Sequence, residues 1–392
     1  MACVTASGAS FDAAFDTFLR DEEAKVSQAM IALNIVRQRL HNQHLLGTPF
    51  ARPDQAVRHL GAVQAQEYPG ATWAIAQRTH GLTQSAIDQS FAEGAILRTH
   101  AMRPTWHFVA PADIRWLLEL TSPRVHAVNA SYYRKLELDR EVLTRSAGVL
   151  ANSLQGGRHL TRGELAAALE QAGIWRPTDD RLRLAYLLMH AELEGLICSG
   201  AMRGKQHTYA LLDERAPPAP ALEREEALAE LTRRYFTSHG PATVKDFAWW
   251  SGLSTADVRA GLELCRPQLQ SASMNGQAYW FGPGAREDMP DSPTAHLLPA
   301  YDEYAIAYKD HAVILGAEYL DLVVAAFGIV IVIDGQIVGA WKRVIEKDRV
   351  LLTLSPFRAL AEAELRALAH ATQRYAAFLE KPVVLADGDI AF

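Results

Sequence analysis

Two glutamines one residue apart, Gln64 and Gln66, stand in the stretch Val63-Gln64-Ala65-Gln66-Glu67-Tyr68-Pro69-Gly70. An amide is no base at neutral pH, so such a pair cannot drive hydrolysis by abstracting a proton. It can orient a water through its carbonyl oxygens and stabilise a developing positive charge with fixed dipoles. The pattern predicts that this stretch closes a helix begun by Pro53 and Asp54, with Val57, Leu60 and Val63 on its buried face and Pro69-Gly70 as its end. Residues i and i+2 lie about 200° apart on a regular helix, so the two amides converge only where that helix unwinds. A helix C-terminus carrying two solvated or capping glutamines has the same pattern.

Other candidates lie further along. In the segment Arg98 to Val109, Thr105, His107 and Val109 share one face of a strand and Trp106 and Phe108 the other. His107 can then meet DNA or a substrate, or be an ordinary surface or core histidine. Arg203 and Lys205 sit in a Gly- and Arg-rich turn suited to phosphates, although basic turns are common. Asp302-Glu303 is the acid–base candidate by residue type, against the reading of two solvated carboxylates at a strand end. Trp249-Trp250 reads as core. The chain has no Walker motif, dinucleotide fingerprint, HExxH or nucleophile elbow.

The elements that must position these residues repeat. Helices followed by a short hairpin occur three times, the order of a winged helix. The first module spans residues 31–110: a helix over IALNIVRQRLHNQHLLG, a second from Pro53, a third over TQSAIDQSFAEG, and a wing of AILRTHA and PTWHFVA. The second spans 111–215, where Thr161 and Glu164 form a capping box and the wing is LICSG and QHTYALL. DERAPPAP, from Asp213 to Pro220, reads as a linker. The third spans 221–290 and ends in a hairpin turning at Asn275-Gly276. Residues 291–392 change to period-two and continuous β patterning, including HLLPAYDEYAIAY, followed by a helix near Phe357–Leu379 and the strand PVVLAD. The expected fold is therefore α+β: three tandem winged-helix modules and a β-rich C-terminal domain, small barrel or open sheet. Residues 1–30 fit no module and read as an extension.

With 392 residues, 49% hydrophobic and 21% charged, the chain has the composition of a globular protein with more than one domain. No apolar run approaches the roughly 18 residues of a membrane span. The N-terminal stretch lacks a basic, then apolar, export signal. Three distant cysteines exclude a disulfide framework and a CxxC zinc site, so the expectation is cytoplasmic, with no metal and no cofactor. A net charge of -6 argues against a nucleic-acid partner, but it is unevenly spread. Residues 31–110 hold 7 basic and 4 acidic side chains (net +3), and residues 291–392 hold 9 and 14 (net -5). Any DNA should meet the first half of the chain.

At VQAQE, RTHAMRPTWHFVAPAD, MRGKQHTYAL and LLPAYDEYAIAYKD the chain resembles the winged-helix crosslink-repair DNA glycosylases of the AlkZ/YcaQ type. The resemblance covers about residues 31–392. The family signature, Gln, an apolar residue, then Gln or Asp, falls on Gln64, Ala65 and Gln66. It implies a monomeric DNA-repair hydrolase that needs no cofactor, acting on double-stranded DNA that carries alkylated bases. Gln64 and Gln66 would position the nucleophilic water, and Arg103, His107, Arg203 and Lys205 would hold the backbone. A purine alkylated at N7 is cationic and leaves as a neutral base, so the glutamines suit N7-alkylguanine, with interstrand crosslinks as a further substrate class. The alternative is a non-catalytic winged-helix DNA-binding regulator.

Overall fold

The three helices expected in the first module form, the second shorter than expected and followed by one that was not, in the computed structural model, which describes residues 35–386 apart from 275, 284–292 and 326–327. The extension of residues 1–30, the start of the first helix and Asn275 of the third hairpin lie outside the described residues. Helix α1 occupies residues 35–42, α2 Pro53–Leu60, α3 Tyr68–Ala76 and α4 Gln84–Glu93. Thr83 caps α4 through the Ala86 N–H and Gly94 ends it in the left-handed conformation. Strand β1 is only Val63–Gln64, and it pairs with β3 (Thr105–Val109), which pairs in turn with β2 (Leu97–Ala101).

Helices α5 (Ile114–Lys135) and α6 (Arg140–Leu154) lead to β4 (Leu160–Thr161), α7 (Arg162–Gln171) and α8 (Arg181–Leu193), then to β5 (Ile197–Ser199), β6 (Thr208–Leu211) and the single turn α9 (Leu212–Arg215). The Thr161–Glu164 capping box forms as expected. Helices α10 (Arg224–Ser238), α11 (Val244–Ser251) and α12 (Thr255–Cys265) precede the hairpin β7 (Gln270–Met274) and β8 (Gln277–Phe281). The chain then runs through β9 (Ala295–Leu298), α13 (Glu303–Ile306), α14 (Leu320–Ala325), β10 (Val330–Ile333), β11 (Gln336–Ile345), β12 (Val350–Pro356), α15 (Glu362–Leu379) and β13 (Val383–Leu385).

These elements make a mixed α+β protein whose apolar residues gather into distinct cores. Helices α6, α7 and α8 close on β5 and β6 around Leu150, Leu165, Leu187 and Ile197. The first module has no such private core. Val57, Leu60, Ile75 and Phe91 pack with Leu297, Trp341, Leu352 and Tyr375 of the C-terminal sheet and α15. Its hairpin residues Leu97, Ala101, Met102 and Val109 pack instead with Tyr235, Phe247 and Trp250 of α10 and α11.

Of the two expected forms, the C-terminal region takes the open sheet, in the order β13-β12-β11-β10-β9, with β12 and β13 parallel. Three expectations are corrected. HLLPAYDEYAIAY is not continuous β: β9 ends at Leu298, and Asp302 caps the short helix α13 by accepting from the Tyr304 N–H. The segment from Asp213 is not a plain linker, because Arg215 donates to the carbonyl of Phe91 and Arg115 pairs with Asp213. Finally, α2 stops at Gly61, so Gln64 lies on a strand, and Pro69-Gly70 begin α3 rather than ending a helix.

Candidate active site

The switch from helix to strand decides where the glutamines face. Val63 and Gln64 sit opposite Phe108 and His107, and the ladder runs on as the Ala65 N–H donates to the Trp106 carbonyl at 2.7 Å. Along an extended segment residues two apart share a side, so Gln64 and Gln66 need no unwound helix to converge. Gln64 is buried and Gln66 exposed, so the pair runs from the protein interior to its surface. Both amide oxygens accept from the facing hairpin. Gln64 Oε1 takes Arg103 Nη2 at 2.8 Å and Gln66 Oε1 takes the Trp106 N–H at 3.3 Å.

The segment is clamped at both ends. Glu67 caps α3 by accepting the Gly70 N–H at 2.6 Å. A Cβ on Gly70 would stand 3.1 Å from Pro299, so glycine lets α3 seat against the run that carries Asp302 and Glu303. Arg98 donates to the Ala65 carbonyl at 3.0 Å while its guanidinium lies 4.3 Å from the Trp106 ring centre. On the hairpin, Met102 takes the left-handed conformation, and Gly252 at the end of α11 approaches so closely that a Cβ there would be 2.5 Å from the Met102 carbonyl oxygen. That approach fixes the turn that carries Arg103.

Glu303 lies fully buried behind Gln64. Its Oε1 accepts the Gln64 N–H at 2.8 Å, its Oε2 accepts Trp250 Nε1–H at 2.7 Å, and His239 Nε2 is 3.4 Å away. Burial pushes the Glu303 carboxyl up, but His239 and the Gln64 N–H outweigh it and hold it below the ordinary carboxylate range. Burial also pushes His239 down. The neighbouring Asp302 has a different task. It takes both Nη atoms of Arg78, at 2.8 and 2.9 Å, in a pair that is almost wholly enclosed, and Gln43 supplies a further acceptor at 2.9 Å. The two adjacent carboxylates are therefore not solvated.

A DNA glycosylase AlkZ-like family model matches residues 57–378. The chain belongs to that family. An interstrand DNA cross-link repair glycosylase of Streptomyces sahachiroi is 26% identical over 337 residues, 81% of this chain and 88% of that protein. The solved structure of the Streptomyces sahachiroi DNA glycosylase AlkZ matches with a TM-score of 0.73 at 23% identity, covering 90% of this chain and 99% of that one, a likeness of fold.

Within this DNA glycosylase the remaining expected site residues are scattered. His107 is fully enclosed, with Nδ1 3.0 Å from the Thr105 carbonyl, so as placed it does not contact a DNA backbone; burial lowers its pKa to about 3, and it is a neutral wall of the site. Arg103 is only partly exposed and turned onto Gln64. Arg203 and Lys205 are exposed on the second hairpin, but Arg203 is already paired with Glu164 at 2.7 Å and donates to the His159 carbonyl. Trp250 is core as expected. Trp249 is not: it is 50% exposed, with its ring centre 6.0 Å from the Arg103 guanidinium. The sequence reading missed His239, whose partner Glu303 arrives from a distant segment, and it missed the exposure of Trp249, which only the pitch of α11 could have signalled.

Proposed function

We propose that this glycosylase hydrolyses the N-glycosidic bond of cationic alkylpurines such as N7-alkylguanine and unhooks interstrand crosslinks; the Streptomyces sahachiroi relative is named an interstrand DNA cross-link repair glycosylase. One observation carries the reading: Gln64 and Gln66 lie two apart on an extended segment, one anchored on the buried Glu303 and the other open to solvent. Water held by the amide oxygens attacks C1′ of the deoxyribose as the bond to N9 breaks. The electron pair leaves with the base, which departs neutral because it began as a cation, and the water's second proton passes to solvent. The amide dipoles offset positive charge on the sugar, and one such preorganised contact is worth about 2.7–4 kcal/mol.

Glu303 is a positioning residue here, fixing Gln64 by its backbone. Arg103 covers the Gln64 oxygen in the free protein; when DNA arrives its guanidinium moves to a phosphate and uncovers that oxygen. The exposed indole of Trp249 stacks on an unpaired base or sugar face beside the lesion. The helix-plus-hairpin units act as winged helices that embrace the duplex, with Arg203 and Lys205 on its backbone.

The test is a duplex carrying a single N7-methylguanine, followed for an abasic site under single-turnover conditions. Gln64→Ala and Gln66→Ala should each slow excision by one to three orders of magnitude, about 1.4–4 kcal/mol. Gln66→Asp should retain more activity than Gln66→Ala, because a carboxylate still orients water and stabilises a cationic sugar. Excision at the wild-type rate by both alanine variants would rule the glutamines out. Failure of the wild-type protein on this duplex and on a crosslinked one would leave a DNA-binding regulator.

A further inference from the structure

Far along the chain from the glutamines, helices α5 and α8 bring together His126, His190 and Glu194, whose ligand atoms all lie within 4.8 Å of one another. His190 and Glu194 are one helical turn apart at the end of α8, and His126 faces them from α5. His126 Nε2 is 3.0 Å from Glu194 Oε1, and His190 Nε2 is 3.9 Å from the same oxygen. The short contact is an ion pair by distance, although its direction does not meet hydrogen-bond geometry among the described residues.

The geometry points to a divalent transition-metal site, with zinc as the ion that fits best, held by His126 Nε2, His190 Nε2 and Glu194 Oε1 with water in the fourth position. Tetrahedral zinc with ligand bonds of about 2.0–2.2 Å places its ligand atoms about 3.3–3.5 Å apart. The two separations to Glu194 straddle that value, and this carboxylate is more than half exposed, so it can adjust. A metal-bound imidazole needs its other nitrogen held. His126 Nδ1 meets the Tyr133 hydroxyl at 2.8 Å, which leaves Nε2 directed at the metal position. Glu119 lines the same cleft and adds negative charge; Arg115, also there, is paired with Asp213. The ion would pin α5 to the end of α8, just before the second hairpin.

The experiment uses the full chain, untagged and stripped with chelator, titrated with Zn2+ by calorimetry and with Co2+ by visible absorption. We expect close to one ion per chain, cobalt bands of a tetrahedral nitrogen–oxygen site, and a melting temperature raised by Zn2+ but not by Mg2+. Glu194→Ala, an exposed change that should leave the fold intact, and His190→Ala should each weaken Zn2+ binding at least tenfold. Excision of N7-methylguanine should proceed with or without the ion, so loss of the proposed activity and loss of this site are separately read. No stoichiometric binding to the wild-type chain, or binding that survives in the His126→Ala/His190→Ala double variant, would overturn the site.

Discussion

The hairpin β2–β3 and the hairpin β5–β6 follow helices in the same order, yet they are opposite objects. Every residue of β2 is buried, and the turn between β2 and β3 is pressed against the end of α11. The second hairpin packs one side on its own helices and leaves the turn from Arg203 to Gln206 exposed. The same supersecondary order thus serves once as a wall of the candidate site and once as a projecting arm. What separates them is where their charges are spent. Arg98 of the first hairpin is enclosed and consumed by internal contacts, whereas Arg203 of the second meets an exposed glutamate. Arg39 and Arg78 are buried as well, so three of the seven arginines that made the first module look basic present no charge to DNA.

The largest effect that separates the two regions is on stability. Asp302→Ala leaves Arg78 charged and enclosed, a loss of about 3–5 kcal/mol, while Glu164→Ala at the exposed pair with Arg203 should cost much less. Chemical denaturation of the two variants measures both, and equal losses would erase the distinction. Next in size is Glu303→Gln. It keeps the side chain's shape but loses the charge that holds the Gln64 amide, so excision per bound complex should fall roughly ten- to a thousand-fold, while duplex affinity changes less than about twofold because the carboxylate is enclosed. A variant that loses affinity and keeps its single-turnover rate would make Glu303 mere scaffold.

A smaller, graded effect comes from pH. Burial lowers His107 to about 3 and His59 and His207 to about 4. An unfolded chain takes up these protons below about pH 6.5, which the folded chain refuses until much lower. Stability from these groups is therefore complete above pH 6.5 and is lost as pH falls from 6.5 toward 4, at about 1.4 kcal/mol per pH unit for the enclosed His107. Melting temperatures measured from pH 7.5 to 4.5 should fall along this window, and His107→Asn, which keeps a donor for the Thr105 carbonyl, should flatten the fall. A flat wild-type curve would mean that the first hairpin is open to protons.

Much of this was legible from short-range chemistry and little from long-range. The Thr161–Glu164 box and the Thr83 and Gly94 caps are decided by neighbours within one turn, and each helix starts or stops where those residues say. Gln64 defeats such reading because its strand is two residues long and exists only through pairing with His107, more than forty positions away. Asp302 and Glu303 were visible as adjacent carboxylates, but their partners Arg78, Trp250 and His239 come from other segments, so the sequence could not tell a buried anchor from a solvated pair. The signature singled out Gln64, while the local pattern assigned it to a helix rather than the strand it occupies.

The smallest expected effect tests the projecting arm alone. If the second hairpin rests on the DNA backbone, each phosphate contact contributes about -0.9 to the slope of log affinity against log salt. Lys205→Glu should make that slope shallower by about one unit. Arg203→Glu should do less, because Arg203 is already held by Glu164 at 2.7 Å and by the His159 carbonyl, and must give up one of them to reach a phosphate. Pairing with Glu164 also predicts that Glu164→Gln strengthens duplex binding modestly, by releasing the arginine. Excision per bound complex should stay at the wild-type rate in all three variants, since none touches Gln64, Gln66 or Glu303. Identical salt slopes for wild type and Lys205→Glu would remove the arm from the footprint and leave DNA to the face that carries Gln66 and Trp249.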